Sequence, residues 1–293
     1  MLELEQSEAA RPREVRVGPL TIGAGHPCVI AGPCSVEPQY VEHVAELAAC
    51  GIDGLRGNIY KPRTRPESFQ GIGDDGLELL VEARKRFGLP IFTEVLASDE
   101  AERVAGVVDC LWIGARNMQN FRLLEAVGQI GKPVLLKRGF GCTVSEWVGA
   151  SEYIRKQGND DVILCERGIR TFESSTRNTL DISSVVVVRE MTDLPVIVDP
   201  SHAAGNRAWV PALGRAALAA GADGLLVEAH PAPALAWSDG DQAIDVDTCA
   251  ELVAEAGRAA ISAGRTPTTM ADLALIDAEM ARLQELRRQI LAG

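Results

Sequence analysis

The chain of 293 residues is long enough for one large domain or two small ones with a well-buried core. Its 46% apolar and 24% charged residues are typical of a soluble globular protein and exclude disorder, collagen or a coiled coil for the chain as a whole. The net charge of −12 argues against a nonspecific nucleic-acid binder and a peripheral membrane protein, because both need a cationic surface.

The sequence contains no stretch of about 18 apolar residues, and its first residues lack the basic start and apolar run of a signal peptide. We therefore expect a cytoplasmic protein. The seven cysteines are dispersed and form no CxxC pair, which argues against a disulfide framework and a structural zinc site. Free thiols are expected, and one of them is available as a metal ligand.

The first predicted element is a small hairpin over residues 14–23, with its turn at Gly18-Pro19. After it, short apolar and β-branched runs recur and predict eight strands. These runs cover residues 28–34, 54–59, 90–95, 110–115, 134–139, 162–168, 195–200 and 224–230.

Segments with helical spacing lie between the predicted strands. One helix is expected to end near Gly51 and another near Gly88, since glycine favours the position after a helix. Thr143 and Glu146 have the spacing of a capping box and predict the start of a helix directly after the fifth of these strands.

Eight apolar strands that alternate with helices predict a (β/α)8 barrel, whose parallel sheet is buried on both faces. A doubly wound open sheet is the alternative, although no G-x-G-x-x-G follows the first strand of the repeat. We predict an N-terminal extension with the hairpin over 1–27, the catalytic barrel over 28–265 and a C-terminal helix over 266–293. The hairpin is in a position to close the N-terminal end of the barrel.

The predicted C-terminal helix has an apolar stripe with three-four spacing, which includes Leu273, Ile276, Met280 and Leu283. Such a stripe is typical of a helix that packs on the barrel or on a sister subunit. Docking to a different partner is the alternative.

Polar residues at the carboxyl ends of barrel strands face the active site of this fold, and here they are strongly charged. Crowded cations in an acidic protein point to an anionic ligand with several phosphate or carboxylate groups. Pairing of each cation with a surface carboxylate is the alternative. The predicted cationic group is Arg56, Lys61, Arg63, Arg116, Lys137, Arg138 and Arg167.

A second constellation combines Cys34, His202, Glu228 and Asp239, on elements that barrel closure makes neighbours. A thiolate, an imidazole and two carboxylates suit Mn²⁺, Fe²⁺, Co²⁺ or Zn²⁺ better than Ca²⁺. The spacing alone also allows a buried cysteine and a hydrogen-bonded histidine, and His230 is a competing ligand.

Several segments resemble the 3-deoxy-D-arabino-heptulosonate 7-phosphate (DAHP) synthases, in the compact type I branch related to 3-deoxy-octulosonate 8-phosphate synthases. The likeness extends over about residues 28–262 with order and spacing kept. It is carried by GPCSVE at 32, LRGNIYKPRT at 55, SFQGIG at 68, IGARNMQNFRLL at 113, PVLLKRGF at 133, ILCERGIRTFE at 163, TRNTLDIS at 176, PVIVDPSH at 195 and SDGDQAI at 238.

The resemblance implies a (β/α)8 enzyme that condenses phosphoenolpyruvate with erythrose 4-phosphate, giving DAHP and phosphate as the first step of the shikimate pathway. It implies a divalent metal, Mn²⁺ first with Fe²⁺, Co²⁺ or Zn²⁺ as alternatives, and a homodimer or homotetramer. The implied metal ligands are Cys34, His202, Glu228 and Asp239. The implied substrate-binding residues are Arg56, Lys61, Ala115, Arg116, Lys137 and Arg167 for phosphoenolpyruvate, and Arg63 and Thr64, with help from Arg116, for the aldose phosphate.

The expected catalytic residues are Lys61, Glu94 and His202. Lys61 is a reasonable proton donor, while Glu94 or a hydroxide on the metal would stabilise positive charge at C2 or deprotonate the attacking water. The metal would activate the aldehyde as a Lewis acid.

Cys34 and Pro62 favour the DAHP branch, but Asn58, Arg65 and Glu67 depart from the pattern of the family at the border of the aldose site. A paralogue that condenses phosphoenolpyruvate with a different aldose phosphate in specialised metabolism is therefore an alternative. A catalytically silent barrel that acts through its C-terminal helix is another, although none of the four proposed metal ligands is missing.

Overall fold

The computed structural model describes residues 13–61, 65, 67–262, 277–278, 280–285 and 287–289. Its central element is a closed barrel of eight parallel strands, which confirms the (β/α)8 prediction over the open sheet. The barrel closes between its first and last strands, where Gly224 pairs with Cys28 and Glu228 pairs with Gly32.

The eight barrel strands follow a two-stranded antiparallel hairpin and match the predicted runs, with each strand ending a few residues earlier than predicted. Every residue of these eight strands is buried, as expected for a parallel sheet covered on both faces. The hairpin strands are β1 (Val15–Val17) and β2 (Leu20–Ile22), and the barrel strands are β3 (Cys28–Gly32), β4 (Gly54–Arg56), β5 (Ile91–Glu94), β6 (Cys110–Ile113), β7 (Val134–Lys137), β8 (Val162–Glu166), β9 (Val196–Val198) and β10 (Gly224–Glu228).

Helices surround the barrel, and their ends follow the local signals in the sequence. Gly88 adopts φ = 70° directly after the second helix, and Thr143 and Glu146 form the predicted capping box. The helices are α1 (Tyr40–Ala49), α2 (Asp75–Phe87), α3 (Ser98–Ala105), α4 (Phe121–Ile130), α5 (Val144–Arg155), α6 (Ser183–Met191), α7 (Pro200–Ala204), α8 (Val210–Ala219) and α9 (Val246–Ser262).

The core has two layers because side chains alternate along each strand. In β7, Leu135 points into the barrel, whereas Val134 and Leu136 belong to the layer between the barrel and the helices. The hairpin completes the inner layer: Val15, Val17 and Ile22 are buried in the same cluster as the inward residues of the barrel strands. The hairpin therefore closes the N-terminal end of the barrel and leaves the opposite end for a site.

Part of the predicted C-terminal helix lies outside the described residues, including Leu273 and Ile276. The described residues 280–285 are helical, and Met280 and Leu283 are exposed. The role of this segment and the division of the chain at residues 28 and 266 stay predictions. Within the described ranges, no helix is both long enough and apolar enough to span a membrane.

The hairpin predicts a stability effect. Ile22→Ala should lower the free energy of unfolding by about 2–4 kcal/mol, since it leaves a cavity in the inner layer of the barrel. Thr21→Ala, on the outward face of the same strand, should change it by less than about 1 kcal/mol. Urea unfolding of both variants measures the difference, and equal effects would show that the hairpin does not contribute to the core.

Candidate active site at the C-terminal end of the barrel

A cavity of about 300 Å³ opens at the carboxyl ends of the barrel strands. Its wall is mainly polar and contains six lysine and arginine side chains and two carboxylates. The lining residues are Asn58, Lys61, Arg65, Ser68, Glu94, Trp112, Gly114, Ala115, Arg116, Lys137, Phe140, Arg167, Arg177, His202 and Asp239.

The two adjacent cations at the end of β7 point to opposite sides of the barrel wall. Lys137 lines the cavity, where its Nζ lies 2.7 Å from Oδ2 of Asp199. Arg138 points outward and donates to both Glu166 and Asp181 at 2.9 Å. Arg138 therefore does not belong to the cationic group predicted at the rim, because the period of a strand turns consecutive side chains to opposite faces.

The remaining predicted cations differ in how they reach the cavity. Arg116 and Arg167 line it and stack on the ring of Phe140, with Cζ to centroid distances of 5.7 and 4.8 Å. Arg56 lies beneath the cavity wall, fully buried, and donates from one terminal nitrogen to Glu228 at 3.2 Å. Its Nε and second terminal nitrogen have no protein partner. The cavity is thus lined and underlain by guanidinium groups that retain donors for an anion.

The structure brings Cys34, His202, Glu228 and Asp239 together on one side of the cavity. Their ligand atoms all lie within 4.8 Å of one another. Cys34 follows β3 and Glu228 ends β10, so the pairing of these two strands makes them neighbours. His202 lies in the short helix α7, and Asp239 lies in the loop before α9.

The hydrogen bonds of His202 leave one ring nitrogen available for a metal. Asp199 accepts from Nδ1 at 2.8 Å, so in the neutral ring the lone pair is on Nε2. Nε2 lies 3.3 Å from Oε1 of Glu228, and two acceptors at that distance are an arrangement that a cation between them would stabilise. Burial lowers the pKa of His202 to about 4, so the ring is neutral at pH 7.

The carboxylates of this cluster stay ionised because cations surround them. Burial alone would raise the pKa of Asp239, but Lys61, whose Nζ lies 2.6 Å from Oδ2, holds it far below its ordinary value. Burial likewise opposes ionisation of Glu228, yet the neighbouring Arg56 and Lys61 lower its pKa. Lys61 also contacts the Cys34 sulfur, whose pKa is raised mainly by burial. The ammonium group of Lys61 therefore lies between the side chains of Cys34 and Asp239.

Glu94 behaves differently from those two carboxylates. Burial raises its pKa, and the nearby Lys137 and Lys61 offset this only in part. Nδ2 of Asn58 donates to Oε2 of Glu94 at 3.1 Å, while the Asn58 Oδ1 is buried without a partner. A carboxyl group with a raised pKa on a cavity wall is suited to accept and return a proton.

Residues 5–260 match the sequence model of the DAHP synthetase I family. The chain belongs to the DAHP synthetase I family. The family is named after the DAHP synthases, which are metal-dependent transferases that form a carbon–carbon bond.

Relatives of known sequence include both branches that the motifs suggested. The phospho-2-dehydro-3-deoxyheptonate aldolase of Thermotoga maritima is 50% identical over 252 residues, which cover 85% of this chain and 75% of that protein. The 2-dehydro-3-deoxyphosphooctonate aldolase of Acidithiobacillus ferrooxidans is 34% identical over 244 residues, 75% of this chain and 85% of that protein.

The crystal structure of the Thermotoga maritima DAHP synthase has a TM-score of 0.84 to this chain at 47% identity, covering 90% of this chain and 79% of that one. A truncated form from the same organism has a TM-score of 0.80 at 46% identity, with 87% and 94% covered. The barrel with its N-terminal hairpin is therefore the architecture of a DAHP synthase.

Arg63 and Thr64 lie outside the described residues. His230 lies away from the four-residue cluster and contacts Glu37, with Nε2 at 3.4 Å from Oε2. Glu228 therefore belongs to the four-residue cluster and His230 does not. The spacing in the sequence could not distinguish these two candidate ligands.

Sequence reasoning assigned no role to three residues that the structure places at the site. Asp199 orients both His202 and Lys137, and its position at the end of β9 was the one available signal. Gln242 donates to Glu228 Oε2 at 2.6 Å, and Arg177 lies 3.4 Å from Asp239. Both come from irregular loops, where no periodicity indicates direction.

The outward direction of Arg138 generates a prediction for stability. Arg138→Met should lower the free energy of unfolding by about 3–5 kcal/mol, because it leaves the fully buried Glu166 without its cation. Arg116→Met is the matched control, since Arg116 is exposed at the cavity, and it should change stability by less than about 0.5 kcal/mol. Urea unfolding decides, and similar losses in the two variants would contradict the assignment.

Proposed function

We propose that this member of the family condenses phosphoenolpyruvate with erythrose 4-phosphate, giving DAHP and inorganic phosphate in the first step of the shikimate pathway. The observation that carries the proposal is one cavity with two kinds of wall. Lysine and arginine side chains line one part, and the cluster of Cys34, His202, Glu228 and Asp239 forms the adjoining part. Two anionic reactants and an aldehyde to be activated require this combination.

The cationic side chains bind the phosphate and carboxylate of phosphoenolpyruvate. Lys137 and Arg167 lie on the wall, and Arg56 supplies its unpartnered donors from below. Lys61 and Arg116 complete this group beside the backbone of Ala115. Forked guanidinium donors fix both the position and the orientation of such anions. By the family resemblance, Arg63 and Thr64 hold the aldose phosphate, and Arg116, which lines the cavity, serves both substrates.

Cys34, His202, Glu228 and Asp239 hold a divalent metal. The lone pair of His202 facing Glu228, together with two ionised carboxylates and a thiol, fits Mn²⁺, with Fe²⁺, Co²⁺ or Zn²⁺ as alternatives. When bound, the metal supplies Lewis acidity toward the aldehyde oxygen. The four residues contribute the geometry, and Asp199 fixes the orientation of His202.

Lys61 and Glu94 move the protons. C3 of phosphoenolpyruvate forms a bond to the aldehyde carbon, and the carbonyl oxygen takes a proton from Lys61 as it becomes a hydroxyl. Water then adds to C2, and Glu94 takes its proton. The C2–O bond to phosphate breaks as the proton of the new C2 hydroxyl passes to the leaving phosphate oxygen, which leaves the 2-keto group and inorganic phosphate. The proton held by Glu94 replaces the one that Lys61 gave up. The raised pKa of Glu94 suits the water step, and neighbouring anions keep Lys61 protonated until it donates.

Release of phosphate from phosphoenolpyruvate tests the function. We expect turnover with erythrose 4-phosphate, loss of turnover after treatment with a chelator, and recovery on addition of Mn²⁺. Arabinose 5-phosphate and other aldose phosphates are assayed in parallel. Absence of phosphate release with every aldose phosphate would overturn the proposal, and turnover that resists the chelator would overturn its metal centre.

A second candidate keeps the reaction and changes the aldehyde. Asn58 lies in the cavity wall with its amide nitrogen bound to Glu94 and its carbonyl oxygen buried without a protein partner. Arg65 adds a positive charge to the same wall, while Glu67 is exposed beside it. An aldose phosphate with a donor placed to reach Asn58 would satisfy that oxygen.

This candidate predicts a change of preference in Asn58→Gly. Removing the amide should raise kcat/KM for erythrose 4-phosphate relative to kcat/KM for the preferred aldose phosphate by about tenfold. The reason is that the preferred aldose phosphate loses its hydrogen bond to Asn58 and nothing replaces it. Ser68→Ala alters the same wall without touching Glu94 and should leave the ratio unchanged. An unchanged ratio in Asn58→Gly would exclude Asn58 as a specificity residue.

We also propose a cytoplasmic homo-oligomer, either a dimer or a tetramer. Phe121 and Tyr153 support a protein interface, because their rings stack at 4.3 Å on the outer surface of α4 and α5 and both are partly exposed. The C-terminal helix is a second candidate contact with a sister subunit or another partner.

A further inference from the structure

A second cluster of titratable side chains lies outside the lining of the cavity and takes no part in the proposed chemistry. It consists of Glu37 after β3, His43 in α1 and His230 after β10, with ligand atoms within 4.8 Å of one another. Glu37 is 2% and His230 is 1% exposed, so neither is an ordinary surface residue. Such a group resembles a metal site in composition and requires an explanation.

The hydrogen bonds of His230 argue against a metal there. Its Nδ1 accepts from the backbone N–H of Ala232 at 2.9 Å, so the proton of the neutral ring is on Nε2. Nε2 then has no lone pair for a metal and instead faces Oε2 of Glu37 at 3.4 Å. This contact and that of His43 Nδ1, at 3.8 Å from the same oxygen, lack hydrogen-bond geometry and act electrostatically.

The other oxygen of Glu37 makes the short contact. Oε1 accepts from the backbone N–H of Trp237 at 2.9 Å. Ser238, the next residue, is also held by a hydrogen bond, since its hydroxyl lies 2.8 Å from that of Ser35 and both residues are buried. Glu37 and Ser35 belong to the loop that carries Cys34. Two hydrogen bonds therefore join this loop to Trp237 and Ser238, the residues directly before Asp239.

Asp239 needs such support because of its backbone. Among the described residues it is the one non-glycine residue with positive φ, at 50°. A side chain in this conformation is retained only where its surroundings hold it. The adjacent Gly240 is packed against the backbone, since a Cβ there would lie 2.4 Å from the carbonyl oxygen of Pro233.

We propose that Glu37 is a positioning residue that fixes Asp239 opposite Cys34 by accepting the hydrogen bond from Trp237. Glu37 touches neither substrate nor metal and acts through the backbone of the Asp239 loop. The inference rests on the proposed metal centre, whose ligand geometry Glu37 maintains.

Direct Mn²⁺ binding tests the proposal independently of activity. The full-length protein is titrated with Mn²⁺, and the free ion is followed by electron paramagnetic resonance. Glu37→Ala should weaken Mn²⁺ binding by at least about tenfold, the usual effect of losing a group that orients a ligand. The KM for phosphoenolpyruvate should change much less. Glu42→Ala, on the exposed face of α1, is the control and should bind Mn²⁺ like the original protein.

Two conservative variants separate the hydrogen bond from the charge, and both remain informative if Glu37→Ala does not fold. Glu37→Gln keeps the reach and an acceptor for Trp237, whereas Glu37→Asp keeps the charge but shortens the side chain. The proposal predicts tighter Mn²⁺ binding in Glu37→Gln than in Glu37→Asp.

The reverse order would overturn the proposal, as would unchanged Mn²⁺ binding in both Glu37→Ala and Glu37→Asp. A second bound Mn²⁺ that is lost in Glu37→Ala, with the first unaffected, would overturn it by showing a metal site at Glu37. Absence of Mn²⁺ binding in the original protein would instead refute the metal centre of the proposed function.

Discussion

Closure of the barrel between β3 and β10 is the constraint on which the site depends. Cys34 and Asp239 are 205 positions apart in the chain, yet their side chains are 3.3 Å apart because the first and last strands pair. The register that places Glu228 beside Gly32 also places the end of β10 next to the loop that carries Cys34. The hairpin contributes from the opposite end, since it fills the barrel interior and leaves the C-terminal end as the open one.

Burial of opposite charges next to one another is the second determinant of the site. Glu228 and Arg56 are both fully buried, and each would be costly without the other. The same cations that keep the carboxylates of the cluster ionised also border the cavity for anions. In an acidic chain, this local excess of arginine and lysine is sustained by carboxylates such as Asp199, which pairs with Lys137 on one side and His202 on the other. The charges of the site are therefore largely paired with one another before any ligand binds.

The sequence was sufficient for the barrel, because uniformly apolar strands and helix caps such as Thr143 reflect local physics. The approximate membership of the site followed from the strand ends. The sequence did not predict in which direction each side chain points. Lys137 and Arg138 are both cations at the end of one strand, and the strand period alone does not say which of them faces the cavity. Arg177 and Gln242 lie in irregular loops that carry no periodic signal, so only the folded chain places them near Asp239 and Glu228.

The proposed metal centre brings Cys34, His202, Glu228 and Asp239 into one function, and cobalt spectroscopy reports on it through the Cys34 sulfur. Co²⁺ added to the metal-free protein should give a thiolate-to-metal charge-transfer band in the near ultraviolet, because the proposed centre takes Cys34 as its sulfur ligand. The band should be lost in Cys34→Ala and kept in Cys142→Ala, whose sulfur lies outside the cluster. A band that persists in Cys34→Ala, or no band in the original protein, would show that Cys34 does not bind the metal.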